Sequence, residues 1–506
     1  MSHQRLDKKS LTISVIGGGL GGLTAAARLA RRGHKVRIFE RSNRLGGKCH
    51  TEWIDGYGFD TGPSLLTIPA VYRDFFMKTG KPIDLGLTPV DPAFHYHFAD
   101  KSSLLFPNLS HGGVLDAIKD QMGSEAAEQW HQLLLRSEKM WEASRNDFVE
   151  RALPTFAQLR KRKNILRDLA TIAPLTSLRK FTSKRVSDPR LQFIIDRYAT
   201  YTGSDPRKAP AVMLTIAFVE EAFGAWHIKG GLGNLSQLVA DRASELGVGI
   251  NLNSEVVKIH DLNGEVSAIE LANGEMIQSD LIISNIDSYH LYNSMLDGKS
   301  VKSEKNAVNK STPSLSGFSI LLGLKPGKNR AFKAHHTVFF PENYDQEFDQ
   351  IFKLNQPVTD PTIYICSPDD PQMVPTVGAE NLFILINAPR HSFSNGFDWS
   401  KPEVVESYGE MIIDLIEAKG IKIRDRILVK KFRSPLDIEN DYASLGGSIY
   451  GPSSNGKRAA FRRAPNKSAL RGLYNVGGSA HPGGGLPLVG LSGEIVADLI
   501  SESING

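Results

Sequence analysis

The stretch SVIGGGLGGLTAAARLARRGHKVRIFE, from Ser14 to Glu40, carries the pattern from which the fold of this chain can be predicted. Its apolar start predicts a short buried strand, and LTAAARLARRG predicts a helix whose alanines and leucines share one face. The glycines between them fit the turn Gly17-x-Gly19-x-x-Gly22. A second strand, KVRIFE, ends on an acidic residue eighteen positions after the last glycine of that turn. Strand, turn, helix, strand and acid in this order predict a Rossmann-type dinucleotide-binding unit.

Each glycine of this turn has a physical task. The first permits the tight turn, the second lets the backbone approach a diphosphate, and the third lets the helix pack closely on the strand. The N-terminus of the helix supplies oriented N–H groups for the anion, and the acid that ends the second strand accepts hydrogen bonds from a ribose. From this unit we predict the following cofactor-binding residues: Gly17, Gly18, Gly19, Gly21, Gly22 and Glu40.

A second glycine pair follows in the sequence ERSNRLGGKCHT, which has the form Glu-x-x-x-Arg-x-Gly-Gly. With this motif the chain resembles the flavin-dependent amine oxidase and desaturase superfamily, and the resemblance implies FAD rather than NAD as the dinucleotide. In that superfamily the Arg and the Gly-Gly turn lie along the diphosphate and near the flavin. The resemblance therefore implies that Arg44, Gly46, Gly47 and Lys48 contact FAD. The alternative interpretation is that Arg44 and Lys48 are solvated loop charges.

The segment GLYNVGGSAHPGGGLPLVGLSGEIVADLI, at positions 472–500, is another glycine-rich region. Its pattern predicts a strand over 473–476, a turn, and a helix that begins near Leu486. It resembles the C-terminal signature of bacterial phytoene desaturases and related carotenoid desaturases, in which the start of this helix faces the flavin. The resemblance implies that Gly485 and Leu486 contact FAD. We interpret His481, inside the glycine-rich turn, as a structural hydrogen-bonding residue rather than a catalyst.

The chain between these regions is predicted to return to the cofactor domain. Asn-Gly pairs at 263–264 and 273–274 predict hairpin turns. The resemblance implies that the strand carrying Val256 pairs its backbone with the adenine, and that the strand DLIISN rejoins the cofactor domain. We therefore predict an α/β protein in which a helical and β-sheet substrate domain is inserted into a discontinuous Rossmann-type domain. The FAD-binding domain would comprise residues 1–75, 225–300 and 435–506, and the substrate domain residues 76–224 and 301–434.

The segment from Val71 to Phe223 is predicted to be mostly helical, because its apolar residues recur at spacings of three and four. It contains a Tyr-x-Gly-x-x-Pro element that is similar to one in carotenoid desaturases, at Tyr201, Gly203 and Pro206. On their own, the aromatic residues here would be interpreted as ordinary core. The link between this segment and a polyene substrate therefore depends on the resemblance.

The expected chemistry follows from what the sequence lacks. Cys49 and Cys366 are too far apart for a Cys/His metal motif, and we find no nucleophile elbow, kinase-type phosphate loop or second dinucleotide turn. We therefore expect flavin as the redox agent and no metal. By the resemblance, a carotenoid desaturase removes two hydrogens from a –CH2–CH2– unit, one as hydride to the flavin and one as a proton. The polyene cation is so acidic that a weak base or water suffices, so we name no catalytic residue.

We predict FAD-dependent desaturation of an acyclic carotenoid or precursor, which is a lipophilic polyene. Close relatives within that family oxidise a terminal methyl group instead, and a polyene isomerase or saturase is a further alternative. An amine oxidase is disfavoured because the His-Pro-Gly turn fits that class poorly. A non-catalytic FAD-binding escort protein is disfavoured because the glycines and Glu40 are retained. The sequence leaves the chain length of the carotenoid, the bond attacked and the oligomeric state open.

Composition and charge bound the location of the protein. The net charge of +5 is small and evenly spread, which argues against a nucleic-acid partner. Two distant cysteines fit a reducing compartment. Lys8 and Lys9 precede an apolar run that is similar to a secretory signal, but the clustered glycines would weaken the helix of such a signal. No window offers the roughly 18 to 20 apolar residues of a membrane-spanning helix.

The segment RKRKNILRDLATIAPLTSLRKFTSKR, from Arg160 to Arg185, holds nine Lys or Arg residues and one Asp, interleaved with apolar residues. This composition suits an anionic membrane surface, although a solvated helix pair is the alternative interpretation. A long polyene is almost insoluble in water, so its enzyme must collect it from a bilayer. We therefore expect a cytoplasmic protein that binds peripherally to the cytoplasmic face of the membrane through this segment.

Overall fold

The computed structural model describes residues 7, 9–154, 165–456 and 459–505. Its strands, in chain order, are β1 (Thr12–Ile16), β2 (Lys35–Phe39), β3 (Thr51–Ile54), β4 (Tyr57–Asp60), β5 (Leu87–Pro89), β6 (Phe94–His97), β7 (Ser103–Phe106), β8 (Trp226–Ile228), β9 (Gly249–Asn251), β10 (Val256–Leu262), β11 (Glu265–Leu271), β12 (Met276–Gln278), β13 (Leu281–Ser284), β14 (Ser316–Leu324), β15 (His336–Phe339), β16 (Ile363–Cys366), β17 (Glu380–Ala388), β18 (Ile427–Arg433) and β19 (Leu473–Asn475).

The α-helices of the described residues alternate with these strands. In chain order they are α1 (Leu20–Arg31), α2 (Ala70–Lys78), α3 (His111–Met122), α4 (Ser124–Phe148), α5 (Ile165–Ile172), α6 (Leu178–Thr182), α7 (Pro189–Thr200), α8 (Thr215–Phe223), α9 (Gly233–Glu245), α10 (Ser288–His290), α11 (Lys302–Asn309), α12 (Tyr344–Asp349), α13 (Pro402–Ala418), α14 (Pro435–Tyr442) and α15 (Leu486–Asn505).

Five strands form a fully parallel sheet in the order β19-β13-β1-β2-β9. Within it, β1, α1 and β2 follow one another as the N-terminal pattern predicts. On the other side of β1 lies β13, with Ile283 opposite Val15, and β19 pairs with β13 at the sheet edge. The predicted Rossmann-type arrangement is therefore confirmed, and its sheet is assembled from segments far apart in sequence.

Helix α1 lies between this sheet and two further helices, α9 and α15. Its small residues allow a close approach, since Ala25, Ala26 and Ala27 are all buried. A Cβ atom added to Gly493 of α15 would lie 2.2 Å from Thr24 Oγ1 and 2.9 Å from the backbone nitrogen of Ala25. Helices α1 and α15 therefore touch almost backbone to backbone, and this contact fixes the first glycine turn relative to the C-terminal one.

A second, seven-stranded sheet has the order β18-β14-β17-β16-β15-β6-β7. All of its pairs are antiparallel except β15 with β6. Strand β14, which lies between β18 and β17, is buried at every position, which suits its apolar sequence SGFSILLGL. Strands β10, β11 and β12 form a separate antiparallel sheet whose turns contain the two predicted Asn-Gly pairs.

Some details differ from the sequence-based expectations. The segment 71–223 is not helical throughout, since it also contains strands β5, β6 and β7. Strand β6 forms because it pairs with β15, more than 200 residues later. Alternation over four residues is too short to identify such a strand. Strand β19 ends at Asn475 rather than Val476. The boundaries of the two domains stay a prediction.

Part of the predicted membrane-binding segment, including Arg160 to Lys163, lies outside the described residues. Within the ranges that the structure describes, no helix combines the length and the apolar character needed to cross a bilayer.

Candidate active site

The first glycine turn connects β1 to α1 and lines a large cavity. Gly17 has a positive φ of 91°, and its N–H donates to the carbonyl of Phe39 at 2.8 Å. A Cβ atom at Gly22 would lie 2.5 Å from the carbonyl oxygen of Gly17, so a larger residue there would push the helix off the turn. Gly17, Gly19 and Gly21 line the cavity, whereas Gly18 and Gly22 are absent from its wall. The first three therefore present bare backbone to whatever occupies the space.

Glu40 follows β2 directly on the cavity wall, one residue beyond the end of the strand, and both oxygens of its carboxylate accept hydrogen bonds. Oε2 accepts from the N–H of Gly18 at 2.7 Å, and Oε1 accepts from the N–H and the hydroxyl of Ser42 at 2.9 and 2.8 Å. The carbonyl of Glu40 accepts from Ser254, which brings the start of β10 alongside. Val256, the first residue of β10, also lines the cavity. Gly18 thus orients the acid.

The second glycine turn lies against the first. The N–H of Gly46 donates to the carbonyl of Gly18 at 2.9 Å, and Gly46 and Gly47 both have positive φ. Arg44 Nη1 donates to the carbonyl of Gly47 at 3.1 Å. Arg44, Gly46 and Gly47 all line the cavity. The two turns therefore form one continuous backbone surface beside the carboxylate of Glu40.

Lys48 crosses to a distant part of the chain instead of pointing into solvent. Its Nζ donates to the carbonyl of Ile449 at 2.6 Å, and burial lowers its pKa although the nearby Asp287 carboxylate acts in the opposite direction. Lys48 lines the cavity. The interpretation of Lys48 as a solvated loop charge is therefore wrong.

The C-terminal glycine turn meets the N-terminal one directly. A Cβ atom at Gly21 would lie 2.9 Å from the backbone N and Cα of Gly477. Asn285, which follows β13, stands between the two turns, because its Nδ2 donates to the carbonyl of Gly17 at 3.3 Å and its Oδ1 would lie 2.4 Å from a Cβ at Gly477. Asn285 was missed by the sequence analysis. Its only signal was its position at the end of the predicted strand DLIISN.

The start of α15 completes this side of the cavity. Gly485 has a φ of 109°, and both it and Leu486 line the cavity. Tyr72 donates from its hydroxyl to the carbonyl of Leu486 at 2.7 Å. His481 Nε2 lies 2.9 Å from the carbonyl of Arg151, and burial lowers the pKa of His481 to about 4. A neutral histidine bonded to a carbonyl suits the structural role that we expected for it.

The cavity has a volume of about 1630 Å³ and continues from the glycine turns into a largely apolar region. There the described part of its wall comes mainly from α4, α5 and α8. Contributing apolar side chains include those of Trp141, Phe148, Leu169, Ile172, Ile216 and Val219. The volume exceeds the few hundred to about 1,000 Å³ of an ordinary ligand site. It can hold a dinucleotide and a long apolar molecule together.

One polar group of side chains interrupts the apolar wall, which we call the Arg197 cluster (Arg197, Tyr201 and Glu220). Arg197 Nη1 donates to the Tyr201 hydroxyl at 2.6 Å, and that hydroxyl donates to Glu220 Oε2 at 3.0 Å. Burial raises the pKa of Glu220 to about 7, against the opposing effect of Arg197. All three residues line the cavity. Sequence reasoning singled out Tyr201 only by resemblance and missed the other two.

In the fold, Cys366 lies close to two histidines that are distant from it in sequence. Its Sγ and the ring nitrogens of His335 and His336 lie within 4.8 Å of one another. His336 is opposite Cys366 in the pairing of β15 with β16. His336 Nδ1 lies 3.0 Å from the carbonyl of Ala93. No Cys/His motif in the sequence pointed to this group of three side chains.

A model of the family described as flavin containing amine oxidoreductase matches residues 20–500. The chain belongs to this family. Among curated relatives, the 4,4'-diapolycopene oxygenase of Methylomonas sp is 32% identical over 508 residues, covering 96% of this chain and 97% of that protein. The 1-hydroxycarotenoid 3,4-desaturase of Flavobacterium sp. is also 32% identical and covers 97% of this chain and 99% of that protein.

Solved structures share the fold at lower sequence identity. An oxidoreductase from Methanosarcina mazei has a TM-score of 0.68 at 17% identity, and the match covers 96% of this chain and 100% of that one. Cyclohexylamine oxidase from Brevibacterium oxydans has a TM-score of 0.60 at 14% identity, with coverage of 98% and 100%. These structures show the fold, whereas the family match and the curated relatives show that the chain is an FAD-dependent oxidoreductase.

The residues of this flavin-containing amine oxidoreductase fit FAD. Gly17, Gly19 and Gly21 line the cavity with backbone alone, and a Cβ atom at Gly19 or Gly21 would lie within 2.8 Å of the side-chain amide of Asn285. Helix α1 begins at the cavity wall, with Gly19, Leu20 and Gly21 in the lining, so the first N–H groups of the helix are available to a diphosphate. Glu40 keeps an unused lone pair on Oε2, which accepts only from the N–H of Gly18, and this lone pair is available to a hydroxyl donor. The cavity wall therefore combines backbone N–H donors for a diphosphate with the carboxylate of Glu40, which can accept from a ribose hydroxyl.

Proposed function

We propose that this enzyme oxidises an acyclic carotenoid or carotenoid precursor by desaturation, with oxidation of a terminal methyl group as the second candidate. The observation that carries the proposal is the long apolar cavity that is continuous with the dinucleotide site. An apolar lining of this size suits a hydrocarbon chain and excludes water from it. The names of the two curated relatives, a carotenoid desaturase and a carotenoid oxygenase, support the same substrate class.

We further propose how the chain's residues hold the cofactor. The diphosphate lies against the two N-terminal glycine turns, Arg44 and Lys48 supply positive charge, and Glu40 accepts hydrogen bonds from the ribose. Val256 lies on the adenine side, and Gly485 and Leu486 lie on the flavin side. When bound, FAD supplies a two-electron acceptor for hydride. The apolar wall keeps the substrate dry and aligned while its neighbouring carbon releases a proton.

Incubation with an acyclic polyene separates the two candidate reactions. The purified protein, loaded with FAD, is mixed with a hydrocarbon polyene, and products are analysed by mass and absorption spectrum. Desaturation should remove two hydrogens per step and shift the absorption maxima to longer wavelength. A product with added oxygen and no new double bond would favour methyl oxidation. If no tested polyene is converted and none reduces the flavin, the proposed substrate class is wrong.

We also propose that the substrate enters from an anionic membrane surface through a mouth framed by α5. Leu166 and Leu175 line the cavity and yet are 81% and 70% exposed. Arg167, Lys180 and Lys184 are exposed in the same segment. Exposed leucines at a cavity mouth surrounded by basic side chains suit insertion among lipid head groups. We propose the cytoplasmic face because anionic lipids are abundant there.

The double substitution Leu166→Asp and Leu175→Asp should weaken binding to anionic liposomes by about tenfold or more. Each buried leucine contributes roughly 1.5–3 kcal/mol, and each added carboxylate is repelled by the surface. Sedimentation with liposomes measures the binding, and the flavin content of the variant should equal that of the wild type. Reversal of Arg160, Lys161, Arg162 and Lys163 to Glu should have the same direction of effect.

Leu262→Asp with Leu428→Asp is the matched control. These leucines are 69% and 64% exposed but do not line the cavity. The control should sediment like the wild type. Unchanged binding by the mouth variant, or an equal loss in the control, would move the entrance to another surface.

A further inference from the structure

The guanidinium of Arg197 has hydrogen-bond donors to spare. Arg197 lies on α7 and is only 6% exposed. Its Nη1 donates to the Tyr201 hydroxyl, but within the described parts of the chain Nε and Nη2 have no hydrogen-bond acceptor. Because the residue lines the cavity, its open side faces the substrate space. A buried cation with unused donors is costly unless a ligand supplies an acceptor.

The rings around Arg197 hold its guanidinium in place. Its Cζ lies 5.2 Å from the ring centroids of both Phe94 and Tyr364 and 4.9 Å from that of Tyr201. Such cation–π contacts stabilise a desolvated guanidinium but accept no directed hydrogen bond from its N–H groups. The position of the side chain is therefore fixed by its neighbours before any ligand arrives.

The charge of the cluster selects the kind of acceptor. Glu220 is buried, accepts from the hydroxyls of Tyr201 and Tyr198 at 3.0 and 3.4 Å, and balances the charge of Arg197 when ionised. A ligand carboxylate would compete with Glu220 for the single positive charge of Arg197 in a dry wall. A neutral oxygen, in a hydroxyl or carbonyl group, would use the free donors without that cost.

The cluster lies on the cofactor side of the cavity. The Tyr364 hydroxyl and the Ser64 hydroxyl are 2.5 Å apart. Ser64 belongs to the segment after β4, in which Thr61 donates to the carbonyl of His50 at 3.1 Å, directly after the second glycine turn. Through Tyr364 and Ser64 the Arg197 cluster is therefore connected to the segment that contacts His50, three residues after the second glycine turn.

We propose that Arg197 hydrogen-bonds a neutral oxygen atom at the end of the polyene, and that Tyr201 and Glu220 hold it for this task. The preferred substrate is then an acyclic carotenoid that already carries a terminal hydroxyl or carbonyl group and that enters with this end leading. An earlier oxidation or hydration of the polyene end must supply it. The inference rests on the proposed function, because it names the substrate subclass of the same site. Arg197 acts here as a specificity-determining residue.

The binding of polyenes to the reduced enzyme tests the proposed role of Arg197, because a reduced flavin cannot oxidise them. Three polyenes of equal chain length are used: the hydrocarbon, its terminal alcohol and its terminal aldehyde. Each is titrated into FAD-loaded protein that has been reduced with dithionite, and quenching of tryptophan fluorescence gives the dissociation constant. We expect the wild type to bind the alcohol, the aldehyde or both on the order of 10- to 100-fold more tightly than the hydrocarbon. Equal binding of all three by the wild type, within about twofold, would overturn the inference.

Two variants assign the preference to the cluster. Arg197→Met removes the donors, and Arg197→Met combined with Glu220→Gln removes both charges, so the second variant leaves no unpaired buried ion. In either variant the preference should fall to within about twofold, while affinity for the hydrocarbon and flavin content stay near the wild-type values. Arg190→Met, on the same helix but outside the cavity lining, is the control and should keep the preference. A preference that survives in the double variant would exclude Arg197 as its source.

Failure of the proposed function gives a different result. Anaerobic mixing of the oxidised wild-type enzyme with each polyene shows whether the flavin absorbance bleaches. If the hydrocarbon bleaches the flavin as efficiently as the oxygenated polyenes do, the carotenoid oxidase remains and the terminal-oxygen preference is wrong. If none of the three bleaches the flavin, the proposed function itself is wrong, and the inference falls with it.

Discussion

Glu40→Ala should raise the dissociation constant for FAD by on the order of 10- to 100-fold. A carboxylate that accepts hydrogen bonds from ribose hydroxyls contributes about 1–3 kcal/mol, and its removal also leaves the N–H groups of Gly18 and Ser42 without their acceptor. Both effects act at the cavity wall and weaken the same site. Flavin retained through gel filtration, followed by titration of the apoprotein with FAD, measures the change.

Two further variants check the cause. Glu40→Gln keeps the shape and one carbonyl acceptor, so its FAD affinity should lie between those of Glu40→Ala and the wild type. Glu275→Ala changes a glutamate in the β11–β12 hairpin, outside the cavity lining, and should retain FAD fully. Wild-type retention of FAD by Glu40→Ala would mean that another residue binds the ribose.

Gly493→Ala should lower the free energy of unfolding by roughly 1–3 kcal/mol, the usual effect of overpacking. The new methyl group would meet the backbone nitrogen of Ala25 and the carbonyl of Gly21 at 2.9 and 3.0 Å, so α1 and α15 would have to separate. Because Gly21 lines the cofactor cavity, the same shift should also reduce flavin occupancy. Urea unfolding followed by circular dichroism measures the first effect, and flavin absorbance measures the second.

Gly112→Ala makes the same chemical change where there is room. Gly112 lies in α3, and a Cβ atom there would meet no atom within 4 Å. Its stability should differ from that of the wild type by less than about 1 kcal/mol, with any change in the stabilising direction. A loss in Gly112→Ala as large as that in Gly493→Ala would show that the contact between α1 and α15 is not the cause.

Local patterns predicted the elements that are local in the structure. The order β1, α1, β2 and Glu40 could be read because hydrophobic period, turn glycines and the terminal acid all occur within 29 residues. The two hairpins of β10–β12 were likewise visible in their Asn-Gly turns. In each case the sequence pattern and the structural element that it predicts lie in the same short segment.

Contacts between distant segments could not be predicted in this way. Asn285 links two glycine turns that are about 460 positions apart, and no periodicity reports such a contact. Arg197 and Tyr201 are one helical turn apart, but Glu220 meets them from another helix, and only the packing of α7 and α8 brings it there. Strand β6 joins its sheet only because β15 lies beside it. These features depend on contacts between residues that are far apart in sequence, which local sequence patterns do not report.

The contact between the first and last glycine turns has a consequence for synthesis of the chain. Residues 12–39 leave the ribosome hundreds of residues before β13, which pairs with β1, before β19, which pairs with β13, and before α15, which covers α1. Until then the faces of β1 and α1 that contact β13 and α15 stay exposed, and chaperones recognise such exposed apolar surfaces. A nascent chain therefore gains a complete flavin site only after α15 has emerged, so the supply of FAD from that moment on, rather than earlier, should decide how much of the protein matures.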